Sequence, residues 1–232
     1  MSSIRKLINQ TAIYGTSSII GRFLNFLLTP LYALQFSNEQ YGIITEMYAY
    51  VAFLVVFLTY GMETAFFRFS TTNREGKINI YSNTLYSLIT TSAIFVAMAT
   101  IFSQNIADWL KYPNHKEYII WFSLIVSLDA VSSIPLAKLR LQEKAKKFAL
   151  VNLLNVGVNI LLNLFFLIYC KEAYESGHQN WITENLYNPE IGVGYVFISN
   201  LIASVIKFGV LMPTMSFRGT FDFTILKQMT SY

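Results

Sequence analysis

Ionisable side chains that interrupt long apolar stretches are the residues of this sequence best suited to chemistry. Arg22 lies near the middle of one stretch, and Lys207 lies well inside another. A charge at the centre of a bilayer costs about 2.5–3.5 kcal/mol on insertion scales. Two such cations favour a water-filled cavity that attracts an anionic substrate. The alternatives are an internal ion pair, for example between Arg22 and Asp129, and snorkelling of Lys207 to the membrane surface.

Polar residues recur at helical spacing in several of these stretches. An asparagine ladder has intervals of 3, 4 and 4 residues: Asn152, Asn155, Asn159 and Asn163. Similar stripes join Arg22 to Asn25 and join Lys207 to Asn200. Each spacing places its members on one helix face. Such a face either lines a cavity or forms hydrogen bonds with neighbouring helices, which is common in membrane bundles.

Three carboxylates also lie within apolar stretches and are candidates for ion coupling or gating. Glu46 and Glu63 are separated by seventeen residues, which is about 25 Å along a helix axis, so they cannot form one paired-carboxylate site. Asp129 shares a helix face with nearby serines. Glu63 and Arg68 are close enough in sequence to form either a gate or an ordinary interfacial ion pair.

Long apolar helices must position these residues. Hydrophobic types make up 54% of the 232 residues and charged types 13%, whereas a soluble domain has about 25% charged residues. Six stretches reach the ~20 residues that span a bilayer, and they are 12–36, 43–67, 80–104, 118–137, 148–169 and 191–216. Their apolar runs do not alternate in polarity as barrel strands do. The sequence predicts an all-α integral membrane protein, with one six-helix transmembrane lobe over residues 1–232.

The distribution of lysine and arginine predicts the orientation, because these residues accumulate in cytoplasmic loops. With the N-terminus inside, twelve of the seventeen fall in cytoplasmic segments and three in outer segments. The twelve are Arg5, Lys6, Arg68, Arg74, Lys77, Lys138, Arg140, Lys144, Lys146, Lys147, Arg218 and Lys227. Both ends of the chain are therefore predicted to be cytoplasmic. The net charge of +4 then faces anionic lipid, and no nucleic-acid partner is expected.

Sequence signatures of enzymes are missing. The two histidines, His115 and His178, fall in predicted outer loops, so neither a metal cluster nor a nucleophile–histidine pair is apparent. No phosphate-binding loop of the ATPase type is present. We therefore expect a protein that is not an enzyme and needs no cofactor.

Several segments together resemble a known family. They are 14–32 in the first stretch, 39–43 and 60–69 in the second, and 134–148 between the fourth and fifth. In this order they resemble the bacterial polysaccharide-biosynthesis flippases, the O-antigen-type members of the multidrug/oligosaccharidyl-lipid/polysaccharide superfamily. The resemblance covers nearly the whole chain and depends on the ordered set rather than on one motif.

The resemblance implies a transporter in the bacterial inner membrane that moves lipid-diphosphate-linked oligosaccharides from the inner to the outer leaflet. It also implies two helical lobes with the substrate between them. Because the chain supplies one lobe, we expect that it stops before a second lobe, and that its partner is that lobe or a second copy. Membrane lipid is the remaining expected partner.

The implied substrate contacts fall on the polar stripes. Arg22 and Lys207 are expected to bind the diphosphate, since arginine presents a planar fork of donors to phosphate. Sugar hydroxyls are expected to bond amides, namely Asn25, Asn155, Asn159 and Asn163. Pro30 is expected to kink the first helix and to serve as a bending point.

Two other functions remain open. A cation-coupled exporter of drugs or small molecules from the same superfamily would use acidic residues such as Asp129, Glu46 and Glu63. A membrane scaffold that assists polysaccharide synthases would use none of the intramembrane charges for transport.

The orientation is testable by cysteine labelling in a Cys170→Ser background. Asn38→Cys and Gln179→Cys are predicted to react with an impermeant thiol reagent applied to intact cells, because both positions lie in predicted outer loops. Lys144→Cys is predicted to react only after the cells are opened. Labelling of position 144 in intact cells would reverse the predicted orientation.

Overall fold

The computed structural model describes residues 3–72, 77–177, 180–217, 219 and 221–230. Arg74, His178, Gln179 and Arg218 lie outside this part of the chain. The side chains of Arg5, Lys6 and Lys77 are outside it as well. The orientation argued from lysine and arginine therefore stays a prediction.

The described residues form helices and contain no strand. The α-helices are α1 Ser3–Phe26, α2 Leu28–Gln35, α3 Asn38–Thr59, α4 Met62–Thr72, α5 Lys77–Ile101, α6 Ser103–Trp109, α7 Lys116–Leu141, α8 Ala145–Leu164, α9 Lys171–Glu175, α10 Trp181–Leu186, α11 Gly194–Leu211 and α12 Phe223–Thr230. A π-helix, Phe165–Cys170, joins α8 to α9, and short 3₁₀ turns occupy Pro189–Ile191 and Met212–Thr214.

Six helical segments are long and apolar enough to cross a membrane, as predicted: Gln10–Gln35, Asn38–Thr72, Asn79–Ile101, Lys116–Leu141, Ala145–Glu175 and Gly194–Thr214. Large apolar side chains cover the outside of the bundle. Phe53 is 68% exposed, and Phe57 and Ile101 are each 73% exposed. A continuous apolar surface of this kind would be a liability in water and is satisfied by lipid. The chain is a multi-pass membrane protein.

Helix α7 is the central helix of the bundle. It packs against α3, α5, α8 and α11, and side chains such as Ile125, Ala130 and Ile134 have no exposed surface. Neighbours cover most of α7, and apolar residues are spread around the helix rather than confined to one stripe, as is typical of a buried helix. A polar residue on α7 is therefore held against another helix rather than against lipid.

Two spans are interrupted within the membrane. The first breaks at Leu27 between α1 and α2, one turn before Pro30, whose ring excludes the carbonyl four residues earlier. The helix is interrupted at Leu27, and the role of Pro30 as a bending point stays a prediction. The second span breaks at Tyr60 and Gly61, which have φ of 33° and 74°. Positive φ ends a helix and favours glycine, so α3 ends at Thr59 and α4 begins at Met62.

The segment after α11 folds back on the bundle, and we call residues 212–230 the strap. Backbone carbonyls of Thr214, Ser216 and Phe217 accept hydrogen bonds from Tyr81, Ser82 and Tyr86 of α5. Its helix α12 contacts α4 and α5. The strap covers the end of the bundle where α7 ends and α8 begins, and we call this the basic end because it carries Lys138, Arg140, Lys144, Lys146 and Lys147.

Candidate functional site

A polar cleft of about 370 Å³ lies between four of the membrane-spanning segments. The first span and α3 form its sides, and α8 and α11 add the remaining surface. It is lined by Asn25, Leu28, Thr29, Tyr32, Tyr41, Ile44, Thr45, Tyr48, Asn155, Asn159 and Asn200. Among the described residues this lining offers amides, hydroxyls and phenols but no carboxylate. The structure thus brings together Asn25, Asn155 and Asn159, three residues that the sequence predicts to bind substrate.

The asparagines of the α8 ladder differ in position, and those that line the cleft are distinct from Asn163. Asn163 has no exposed surface and lies behind the cleft. Its Nδ2 donates to the carbonyl oxygen and to Oδ1 of Asn159, at 2.8 and 3.1 Å, and its Oδ1 accepts from the Tyr32 hydroxyl at 3.1 Å. Asn163 therefore positions Tyr32 and Asn159 instead of lining the cleft itself.

Asn155 is the member of the ladder with spare hydrogen-bonding capacity. Its Nδ2 is buried and has no hydrogen-bond partner among the described residues, although the residue lines the cleft. Leaving a buried donor unpaired costs about 1–3 kcal/mol. An unpaired donor next to a polar cleft is available to form a hydrogen bond with a ligand or with water.

Helix α3 supplies a polar face that the sequence did not predict. Tyr41, Thr45 and Tyr48 follow one another at intervals of 4 and 3 residues and all line the cleft. The Tyr48 hydroxyl accepts a hydrogen bond from Asn200 Nδ2 at 3.2 Å. The spacing is visible in the sequence, but tyrosine is counted among the hydrophobic types, so the face does not stand out within an apolar span.

Arg22 lies on the helix stripe of Asn25, one turn closer to the basic end. Its side chain is exposed, and no hydrogen bond or ion pair joins it to another described residue. Arg22 is therefore a cation within a membrane-spanning helix that no described residue neutralises. This state persists only where water, a lipid head group, a ligand or another protein surface reaches it.

Lys207 and Asp129 form an ion pair between α11 and α7. Lys207 Nζ lies 2.5 Å from Asp129 Oδ1, and the Ser204 hydroxyl donates to the same oxygen at 3.2 Å. Lys207 is 8% exposed, so it does not snorkel to the surface, and it does not line the cleft. The alternative pair of Arg22 with Asp129 is wrong, because the packing of α11 on α7 brings Lys207 to this carboxylate.

The other two carboxylates each have a partner away from the cleft. Glu46 Oε2 accepts from the Tyr112 hydroxyl at 2.5 Å, and its Oε1 accepts from the Tyr50 hydroxyl at 2.9 Å. Burial raises the pKa of Tyr112 to about 12, and the hydrogen bond to Glu46 contributes to this shift as the second-largest cause. The phenol therefore remains a hydrogen-bond donor at neutral pH.

Glu63, for which the sequence left open a gate or an ion pair with Arg68, pairs with Arg140 of α7 at the basic end. The Arg140 guanidinium also lies 5.3 Å from the Phe67 ring centroid and 5.5 Å from that of Phe148. The ion pair therefore ties α4 to α7 and is framed by aromatic rings on both sides.

Comparison with known families adds an independent observation. The family model described as polysaccharide biosynthesis protein matches residues 35–221. The chain belongs to this family. The matched part of this polysaccharide biosynthesis protein runs from the end of α2 into the strap and includes the cleft residues of α3, α8 and α11. No curated protein and no solved structure matches the chain.

The ion pair between α7 and α11 gives a stability prediction. Lys207→Met leaves the Asp129 charge without its partner and is expected to cost about 3–5 kcal/mol of unfolding free energy. The double variant Asp129→Leu/Lys207→Met removes both charges and is expected to recover most of that loss. Lys146→Met, at an exposed lysine on α8, is the control and should change stability by less than about 0.5 kcal/mol.

Thermal unfolding of the purified variants in detergent measures these differences. A Lys207→Met protein as stable as the parent would show that the pair contributes nothing. A double variant as unstable as the single one would show that shape, not charge, holds α11 on α7.

Proposed function

We propose that this protein is a flippase lobe that binds lipid-diphosphate-linked oligosaccharide and moves it from the inner to the outer leaflet of a bacterial inner membrane. The polar cleft is the observation that carries this proposal. Family membership supports a role in polysaccharide biosynthesis, and the six spans support a role inside the membrane. Transport of a glycan through a bilayer requires a polar surface at membrane depth, and the cleft supplies one.

The chemistry of the cleft suits sugar hydroxyls. Each hydroxyl donates one hydrogen bond and accepts others, and amides and phenols do both as well. Asn25, Asn155 and Asn159 offer amide donors and acceptors, and Tyr41 and Tyr48 add phenol groups next to flat apolar rings. The unpaired Asn155 Nδ2 is the donor most available to a hydroxyl.

Arg22 suits the diphosphate of the same substrate. Its guanidinium matches two phosphate oxygens with parallel hydrogen bonds, and it lies one helical turn from Asn25 of the cleft. In this proposal the diphosphate meets Arg22 while the first sugars occupy the cleft. Lys207, held by Asp129, orients α11 and its cleft residue Asn200 rather than contacting phosphate directly.

Alternating access requires two bodies that rock around a shared site. Arg22 is exposed on the side of this lobe that carries the cleft, so a second lobe has room to pack against that side. We propose that a second lobe or a second copy of the chain covers this side during transport.

A cation-coupled drug exporter is less well supported. Such a protein would present carboxylates to its cationic substrate or coupling ion. Asp129 is paired with Lys207, Glu63 is paired with Arg140, and Glu46 accepts two phenol hydrogen bonds. The uptake of a cationic dye into everted vesicles is the measurement that would favour the exporter.

The variant Asn155→Leu tests glycan binding by the cleft separately from the stability of the protein. The substitution removes a buried donor that lacks a partner, so the lobe is expected to remain as stable as the parent or to gain stability. If Asn155 bonds the glycan, surface polysaccharide should nevertheless fall about tenfold, which corresponds to ~1.4 kcal/mol of lost binding. The control is Asn152→Leu, one turn away on the same helix and outside the cleft lining.

Both substitutions are made at the chromosomal locus of the producing cell, and surface glycan and protein level are measured together. Normal glycan export by Asn155→Leu at normal protein level would remove Asn155 from the substrate site. Equal losses in both variants would indicate a general packing effect on α8.

A further inference from the structure

A second cavity lies at the basic end, away from the polar cleft. It has a volume of about 340 Å³ and is lined by α4, α5, the end of α7 and the strap. Polar lining groups come from Ser70, Lys138, Gln142 and Ser216, and apolar ones from Phe66 and Leu141. The cavity therefore has both a charged wall and an apolar wall, and it lies at the end of the candidate membrane span Lys116–Leu141.

Lys138 is the charge of this cavity. Its Nζ donates to the Thr214 carbonyl oxygen of the strap at 2.9 Å and lies 4.0 Å from the Tyr81 ring centroid. No carboxylate within the described ranges pairs with it, whereas Arg140, two residues later on the same helix, is paired with Glu63. An ammonium group has three donors, so Lys138 retains donors for an anion.

Ser70 provides a second, independent observation. It is 1% exposed, lines the cavity, and its hydroxyl has no hydrogen-bond partner among the described residues. Buried hydroxyls are normally paired, and each exception needs an explanation. A ligand atom that accepts from or donates to Ser70 Oγ inside the cavity explains this one.

We propose that this cavity is a binding site for an anionic phosphate group, held by Lys138 and Ser70. Lysine binds phosphate as a point charge with several donors, and the serine hydroxyl and the Gln142 amide complete a polar wall for the phosphate oxygens. The apolar wall formed by Phe66 and Leu141 accepts the first carbons of an amphiphile. The same phosphate chemistry is supplied by a phospholipid head group or by free phosphate.

Occupancy would join three elements. Ser70 belongs to α4, Lys138 to α7, and the Thr214 carbonyl bonded by Lys138 to the strap. A bound phosphate therefore clamps the strap against the bundle. The site goes beyond the proposed transport function, because it shares no lining residue with the cleft.

The purified 232-residue chain in detergent is titrated calorimetrically with three probes. They are dioctanoyl phosphatidylglycerol, dioctanoyl phosphatidylcholine and sodium phosphate. The parent is expected to bind phosphatidylglycerol saturably and more tightly than the zwitterionic phosphatidylcholine. Lys138→Gln, which keeps a donor for Thr214 but loses the charge, should weaken binding about tenfold, since hydrogen bonds to charged groups contribute ~1.5–3 kcal/mol.

Ser70→Ala should weaken binding of phosphatidylglycerol a few-fold. This variant is expected to fold as the parent does, because the substitution removes a buried hydroxyl that has no described partner. Lys146→Gln, at an exposed lysine of the same end, is the matched control and should bind as the parent does. Tighter binding of phosphatidylglycerol than of sodium phosphate assigns the site to lipid, and equal binding assigns it to the free ion. Equal losses in Lys138→Gln and Lys146→Gln, or indifference to the choice of lipid, would overturn the proposal.

Discussion

Within a bilayer a polar side chain has no bulk water to bond, so it is either satisfied by protein or placed where water or a ligand reaches it. This constraint sorts the intramembrane polar residues into two groups. Asp129 and Lys207 are satisfied by each other and join α7 to α11, and Asn163 is satisfied by Asn159 and Tyr32 and joins α8 to α2. Arg22 and the Asn155 Nδ2 have no partner among the described residues; Asn155 lines the polar cleft, and Arg22 lies one helical turn from the cleft residue Asn25. The hydroxyls of Ser92 and Ser132 also lack a described partner but lie away from the cleft.

The cleft also lies where the surrounding helices are irregular. The first span is broken at Leu27, beside the cleft residue Leu28. The fifth span changes to a π-helix at Phe165–Cys170, directly after the asparagine ladder. Proline breaks and π-helical turns occur often at functional sites, since they free backbone groups and permit bending. Two of the helices that wall the cleft thus have an irregular segment next to it, and the proposed transport cycle would bend them there.

Much of this architecture could be predicted from local patterns. Helix period and membrane thickness are local constraints, so the six spans, the asparagine ladder and the stripe of Arg22 with Asn25 were visible in the sequence. Partners distant in sequence were not: Lys207, not Arg22, meets Asp129, and Arg140 meets Glu63 across 77 positions. Those pairs depend on which face of α7 meets α11 and α4. The tyrosine face of α3 was missed because a tyrosine side chain combines an apolar ring with a polar hydroxyl. A single hydropathy value does not show these two properties separately.

The central claim is that the cleft contacts the lipid-linked glycan, and site-specific photocrosslinking tests it most directly. A photoreactive phenylalanine analogue is placed on α3 either at Thr45, which lines the cleft, or at Val56, which is 71% exposed on the outside of the bundle. Cells carrying radiolabelled lipid-diphosphate glycan are then irradiated. Our account predicts labelled glycan on the protein from position 45 and none from position 56. Equal labelling from both positions, or none from position 45 in fully expressed protein, would contradict it.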